Sequence, residues 1–257
     1  MMKQMVSKIH RPGIALCAVL VLLLAAFGWG ESWSSPPQVG AKMEAKEMVS
    51  NIHWLGHDSF RIEGDGLVIY IDPWKIEEGP KADLILVSHD HGDHCSPADV
   101  SRVQKKDTVI VTIAAAAAKL SGQIEVVKPG DKVTVKGILI SAVPAYNVNK
   151  FRSPGEPFHP REAGHVGFVI TVQGVRIYHT GDTDHIPEMG AIDADIALLP
   201  VSGIYVMTAD EAVAAAASIK PQIAIPMHVG GGIGSLADAE HFKKKASVPV
   251  EILPMEK

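Results

Sequence analysis

Cysteine is nearly absent from this chain. Of 257 residues only Cys17 and Cys95 carry thiols, and Cys17 lies inside an apolar N-terminal stretch. If that stretch is removed, Cys95 has no internal partner, which excludes a disulfide framework. Basic residues are scarce as well. The first 30 residues hold Lys3, Lys8 and Arg11 of the 24 bases and none of the 29 acids, so residues 31 to 257 carry 21 bases against 29 acids, a formal charge of -8. That balance excludes the basic footprint of broad nucleic-acid binding, and no segment interleaves aromatic with basic residues. There is no G-x-S-x-G elbow to present a serine nucleophile, and no sequence repeat relates the two halves.

What is present begins with length and apolar content. With 257 residues and 47% apolar side chains, the chain can bury one sizeable core, which favours a single large α/β domain over two small ones. The basic start, Met1 to Arg11, precedes an apolar run from Gly13 to Gly30, and small residues at Gly28 and Gly30 permit cleavage before Glu31. Residues 1 to 30 are therefore expected to be a signal peptide, giving an exported protein. At about 18 residues the run is also at the lower edge of a membrane span, so an N-terminal anchor with membrane association is the other reading. Residues 31 to 50, with Ser34-Ser35-Pro36-Pro37 near their centre, read as a linker, and residues 51 to 257 as the folded domain.

Within that domain strand and helix signals alternate. Ile52–Leu55, Ser59–Ile62, Leu67–Ile71, Leu84–Val87 and Val109–Val111 read as strands, and Ala114–Leu120 and Ala209–Ile219 as alanine-rich helices. Ser96-Pro97-Ala98-Asp99 supplies an N-cap hydroxyl, a proline at the first helical position and a carboxylate near the third, which predicts a helix to about Gln104.

One stretch carries chemistry. The run His89-Asp90-His91-Gly92-Asp93-His94 follows directly on the apolar segment Leu84–Val87. In extended backbone, residues two apart point the same way, so His89 and His91 can offer nitrogens to one ion, with Asp93 and His94 just beyond. Imidazole with a carboxylate suits zinc, and also manganese or iron, better than calcium or magnesium. Two later positions also follow apolar strand-like runs: Asp182 after Val175–Tyr178, and His228 after Ile223–Ile225.

Ser88-His89-Asp90-His91-Gly92-Asp93-His94, together with Gly181-Asp182-Thr183 and Pro226-Met227-His228, resembles the metallo-β-lactamase-fold hydrolases over most of residues 51 to 257. Trp54-Leu55-Gly56-His57, Tyr178 to Asp184 and Met207-Thr208 look more like the branch containing L-ascorbate-6-phosphate lactonase and N-acyl-phosphatidylethanolamine phospholipase D than the antibiotic-degrading enzymes. The resemblance implies a four-layer αββα sandwich holding two divalent ions, zinc by default. His89 and His91 would bind the first, Asp93 and His94 the second, Asp182 would bridge them and His228 would complete the second site. The first ion usually takes a third histidine where this chain reads Ala145-Tyr146-Asn147. Here Asn147 could ligate through its carbonyl, or His159 could swing in from the same loop, and His159 is preferred.

Other residues are weighed beside these. His57 reads as lining the pocket or supporting the ligands, and His179 and His185 flank Asp182 with equal claims to a supporting or a bland position. His165 reads as structural or surface-exposed, and Cys95 as a buried neighbour of the site. Tyr205 and Met207, on a loop after Ile196–Leu199, are candidate substrate contacts. Two ions would lower the pKa of a bridging water towards about 7, giving a hydroxide nucleophile for hydrolysis of a small ester, lactone or phosphodiester. Asp93 and Asp182 would hold this machinery, and Asp184 or a metal-bound water would manage the leaving-group proton. A β-lactamase-like enzyme is a narrower alternative. A non-catalytic metal- or ligand-binding protein is the competing class, motivated by Asn147.

Overall fold

A computed structural model describes residues 43–230 and 232–256. The expected leader and residues 31–42 of the expected linker lie outside these residues. The chain between 45 and 51 is not linker. It forms a helical turn, α1 (Ala45–Met48), that runs on into a 3-10 turn, Val49–Asn51, and it buries Ala45 and Met48 in the core. The folded domain therefore starts about six residues earlier than expected, because Ala45, Met48, Val49 and Ile52 recur at helical spacing and need an apolar surface to rest on.

Two mixed six-stranded sheets follow. The first runs in the order β1 (Ile52–Gly56), β2 (Ser59–Gly64), β3 (Leu67–Ile71), β4 (Leu84–Val87), β5 (Val109–Thr112) and β6 (Gln123–Val126). Its first three strands pair antiparallel and β3 to β6 pair parallel. The second sheet is built from β7 (Lys132–Val135), β8 (Ile138–Pro144), β11 (Val166–Val172), β12 (Val175–His179), β13 (Ile196–Pro200) and β14 (Ile223–Met227), with the small hairpin β9 (Phe151–Ser153) and β10 (Glu156–Pro157) between β8 and β11. There β12, β13 and β14 are parallel and the remaining pairs antiparallel.

The parallel strands β4, β13 and β14 are apolar and buried at every position, as strands covered on both faces must be. One continuous apolar cluster joins side chains of both sheets, including Phe60, Ile62 and Leu86 from the first and Phe168, Ile177 and Leu198 from the second. Helices α2 (Pro97–Val103), α3 (Ala114–Ala117), α4 (Ala209–Ile219) and α5 (Leu236–Lys245) complete the αββα sandwich. Helix α2 starts as the sequence predicts: Ser96 Oγ accepts from the Asp99 amide. Helix α3 is shorter than expected, one turn rather than Ala114–Leu120, because the chain turns at Ala118 and Lys119 before Gly122. Among the described residues no helix is long and apolar enough to cross a membrane.

Strand direction fixes where the chemistry sits. In the first sheet β1, β3 and β4 run the same way, and in the second β8, β12, β13 and β14 do, so their carboxyl ends define the rims from which loops leave. If residues 45–51 belong to the folded domain, Met48→Ala lowers stability by about 2–5 kcal/mol, the usual cost of emptying a core methionine site. Urea denaturation measures it, and a cost near zero would return this segment to the linker.

Candidate metal centre

Each donor is the first residue, or nearly so, after a strand. Val87 ends β4 and releases Ser88 to His94; Ile71 ends β3 and releases Asp72; Met227 ends β14 and releases His228; the turn after β1 holds His57 and Asp58. Three of these residues have left-handed backbones, His57 (φ 53°), Asp72 (φ 46°) and His228 (φ 57°). Such conformations are uncommon outside glycine and collect at sites whose side chains must be aimed. Asp182 is aimed differently. Gly181 before it sits at φ 63°, and a Cβ there would meet the Val166 carbonyl oxygen at 2.8 Å, so only glycine fits this turn.

The side chains gather in two groups that share Asp182. In the first, nitrogens of His89, His91 and His159 lie within 4.8 Å of one another, and His89 Nε2 is 3.0 Å from His91 Nδ1. Tetrahedral zinc with bonds near 2.0–2.1 Å spaces its nitrogens by about 3.4 Å, so this group suits a single ion. The second group brings His94 and His228 together with His57 and Asp58, again within 4.8 Å. Asp182 lies between them: Oδ2 is 3.2 Å from His159 Nε2 and 3.5 Å from His228 Nε2, and Oδ1 is 3.4 Å from His94 Nε2. Asp93 stands at the edge of the second group, one-third exposed, with Oδ2 3.2 Å from His57 Nε2.

Electrostatics gives the test of whether cations fit. His94 Nε2, Asp182 Oδ1 and both oxygens of Asp58 are buried without a hydrogen-bond partner. Burial alone would raise the Asp182 carboxyl, but His94 and His228 hold it well below the usual carboxylate range. Burial lowers His94, yet Asp182 and Asp72 outweigh it and push its pKa well up. Protein alone thus forces a proton onto His94 to balance buried carboxylates. His89 moves the other way, pushed well down by burial and then by His94, which favours the neutral imidazole with one nitrogen lone pair to offer. A cation between these orphaned atoms relieves both conflicts, and the donor set fits one.

The ligands are held from behind. Asp72, fully buried, accepts from the Ser88 amide (2.7 Å) and the Ser88 hydroxyl, and its Oδ2 is 2.8 Å from His94 Nδ1. Ser88 Oγ in turn lies 3.0 Å from His89 Nδ1, so this single carboxylate orients one histidine of each group. Ser202 Oγ is 2.8 Å from His228 Nδ1. Asn147 does the same for His159. Its Nδ2 donates to the Tyr205 carbonyl (2.9 Å) and its Oδ1 accepts from the His159 amide (2.8 Å), which fixes the amide's orientation. His159 Nδ1, 2.9 Å from that same oxygen, must then be the N–H donor, leaving Nε2 with its lone pair towards Asp182. Of the two third-ligand candidates, His159 points into the group and Asn147 braces it.

Several expected residues lie elsewhere. Asp184 is buried and its Oδ2 accepts from the amides of Val148 and Asn149, so it shapes a loop instead of reaching the cleft; a proton-handling role for it is not supported. Met207 is fully buried in the core, where its side chain has no access to substrate, because Gly203 N–H donates to the Met207 carbonyl and folds the loop inward. Tyr205 does reach the surface, its ring 4.6 Å edge-on from Phe158. His165 is buried beside His89 rather than exposed, and burial followed by His159 and His91 pushes it down to about 4. Cys95 is buried with its thiol pushed up to about 11 by burial, an inert neighbour. His179 Nδ1 accepts from the Gly181 amide, so its Nε2–H donates to the Asp58 carbonyl; His185 lies 2.9 Å from Ser218 on α4.

Sequence reasoning missed Asp58, Asp72, Ser88, Ser202 and Arg152. Asp72 carried a readable signal, an acid directly after an apolar strand, the position Ser88 takes after β4. The group opens onto a cleft of about 500 Å³ lined by His91, Asp93, His159 and Asp182 below and by Arg152, Phe158 and Tyr205 above.

Comparison with known proteins gives the same picture. The Beta-lactamase superfamily domain matches residues 51–228. The chain is 34% identical over 225 residues to a UPF0173 metal-dependent hydrolase of Methanopyrus kandleri, covering 80% of this chain and 96% of that one. A second UPF0173 metal-dependent hydrolase, from Thermoplasma acidophilum, is 37% identical over 213 residues, 76% of this chain and 90% of its own. A crystal structure named as a metal-dependent hydrolase of Parabacteroides distasonis ATCC 8503 superposes with a TM-score of 0.70 at 35% identity, over 84% of this chain and 99% of that one.

Asp72→Asn is expected to weaken metal retention about 10–100-fold, as loss of an orienting carboxylate usually does. Titration with a competing chromogenic chelator reads this directly, and unchanged affinity would reduce Asp72 to a packing role.

Proposed function

The chain belongs to the beta-lactamase superfamily, among the UPF0173 metal-dependent hydrolases, and from that premise we propose a dinuclear hydrolase of small ester, lactone or phosphodiester substrates. The observation that carries the proposal is Asp182, within 3.5 Å of a donor nitrogen from His159 on one side and from His94 and His228 on the other. His89, His91 and His159 would hold the first ion, a three-imidazole set that suits zinc, and His94, His228 and Asp93 the second, with Asp182 shared. When bound, such ions supply a water of lowered pKa and polarise the carbonyl or phosphoryl oxygen under attack.

The protein's own side chains do the rest. Asp182, held ionised, fixes the spacing of the two groups and presents an acceptor for a water proton. Asp93, at the cleft edge and held below the usual carboxylate range, keeps His57 oriented through its hydrogen bond. Phe158 and Tyr205 form an aromatic wall on which an apolar part of the substrate can rest. Arg152, the only lysine or arginine among the described residues lining the cleft, stands 5.6 Å from the Phe158 ring centre. It favours substrates with a negative charge beside the scissile bond, the phosphodiester among the three classes.

The non-catalytic alternative drew on Asn147 in place of a histidine; the closeness of His159 to His89 and His91 supports the catalytic reading over it. The basic and apolar N-terminal stretch supports action outside the cytoplasm or at a membrane surface.

Metal-stripped protein should have no turnover, and restored zinc or manganese should return it with two ions per chain by plasma mass spectrometry. Asp182→Asn should cost about a hundredfold or more in kcat with the fold retained. Two ions and no turnover across generic ester, lactone and phosphodiester substrates would favour the binding protein instead. Arg152→Ala should raise KM for anionic substrates about tenfold and leave neutral esters unchanged, since only the charge-assisted contact is lost. An equal effect on both would assign Arg152 to shape rather than charge.

A further inference from the structure

Asp58 is the one carboxylate at the centre that neither the sequence motif nor the supporting hydrogen bonds explain. It is 1% exposed, on the turn between β1 and β2, and neither side-chain oxygen has a hydrogen-bond partner. His57 Nδ1 at 3.6 Å is a charge contact too long for a hydrogen bond, and the opposite nitrogen of His57 already faces Asp93. A buried carboxylate left in that state is a standing cost to the fold unless something else pairs with it. Two further orphans face the same space: His94 Nε2, 3.9 Å from Asp58 Oδ2, and Asp182 Oδ1, 3.4 Å from that same nitrogen. Donor atoms of Asp58, His94 and His228 fall within 4.8 Å of one another, as ligands of one ion do, with His57 beside them and its Nε2 turned to Asp93.

We infer that Asp58 is a ligand of the second metal ion, and that the two positions consequently differ in kind. This rests on the dinuclear reading given above. The first position offers three imidazoles, from His89, His91 and His159, and one shared carboxylate oxygen of Asp182. The second offers two imidazoles, from His94 and His228, with carboxylate oxygens from Asp58 and Asp182, while Asp93 lines the cleft and faces His57. An oxygen-rich, more negative set selects a harder ion, manganese(II) or iron(II), while the imidazole-rich set keeps zinc. The protein is therefore a mixed-metal one, and Asp58 sets which ion takes the second place.

The test uses full-length protein, stripped with a chelator and reloaded with zinc and manganese together. Wild type should retain one of each by plasma mass spectrometry after desalting. Asp58→Asn, which keeps the side-chain shape, should hold its zinc unchanged and bind manganese about 10–100-fold more weakly. Asp58→Ala should show the same pair of effects. His57→Gln separates out a role exerted through the imidazole, and it should weaken manganese retention less than Asp58→Asn does. Asp58→Asn with wild-type manganese affinity overturns the inference, as does His57→Gln reproducing the full loss. Wild type holding fewer than two ions would end the dinuclear reading itself, whereas two ions in both wild type and Asp58→Asn ends only the role of Asp58.

Discussion

Three buried carboxylates crowd around one histidine, and that excess of negative charge is the constraint on which the rest of the structure depends. Asp58 and Asp182 approach His94 Nε2 from two sides while Asp72 holds Nδ1. Without a cation the relief is a proton on His94, whose pKa is pushed well up against the effect of burial, and one on His57, raised against burial to about 9 by Asp58 and Asp93. Folding of the surrounding sheets must bear this cost, and a divalent ion turns the same cluster from a liability into a tie between the two sheets. Asp58, Asp72 and His94 come from the first sheet's rim; Asp182, His228 and His159 come from the second's.

The sandwich makes that meeting possible. Parallel strands that are apolar at every position, such as β4 and β14, end beside their neighbours β3 and β13. Loops leave from there with left-handed turns at His57, Asp72 and His228 that swing their side chains inward. Behind them, Ser88, Ser202 and Asn147 set which ring nitrogen of His89, His228 and His159 carries the proton. The outer wall of the cleft comes from other loops: Arg152 and Phe158 lie on and just after the β9–β10 hairpin, and Tyr205 on the loop after β13. A fixed metal-binding floor under a variable roof is how one fold can serve many substrates.

How much of this was legible in the sequence follows from what is local. The run from His89 to His94 could be read because its donors are neighbours along one turn, and the strand boundaries around it followed from apolar runs such as Leu67–Ile71. The choice of His159 over Asn147 was open to reasoning because both lie on one loop. Asp72 stood at a readable strand end, but neither it nor Asp58 could be assigned to the cluster from the sequence. Their place depends on the register of β1 and β3 against β4, which no local pattern encodes. Asp184 and Met207 were misjudged for the opposite reason. Closeness to Asp182 in sequence, or to the cleft loop, says nothing of side-chain direction, and here two backbone amides capture Asp184 while the core takes Met207. The early edge of the domain was hidden because a single helical turn beside a proline-rich stretch gives too short a period to read.

Anomalous diffraction from crystals of metal-loaded protein, recorded at the zinc and manganese edges, tests the central claim most directly. Two peaks about 3.5–4 Å apart, one on either side of Asp182, are the predicted result. A single peak remote from Asp182, or none with His94 still hydrogen-bonded to a carboxylate through a retained proton, would contradict the account.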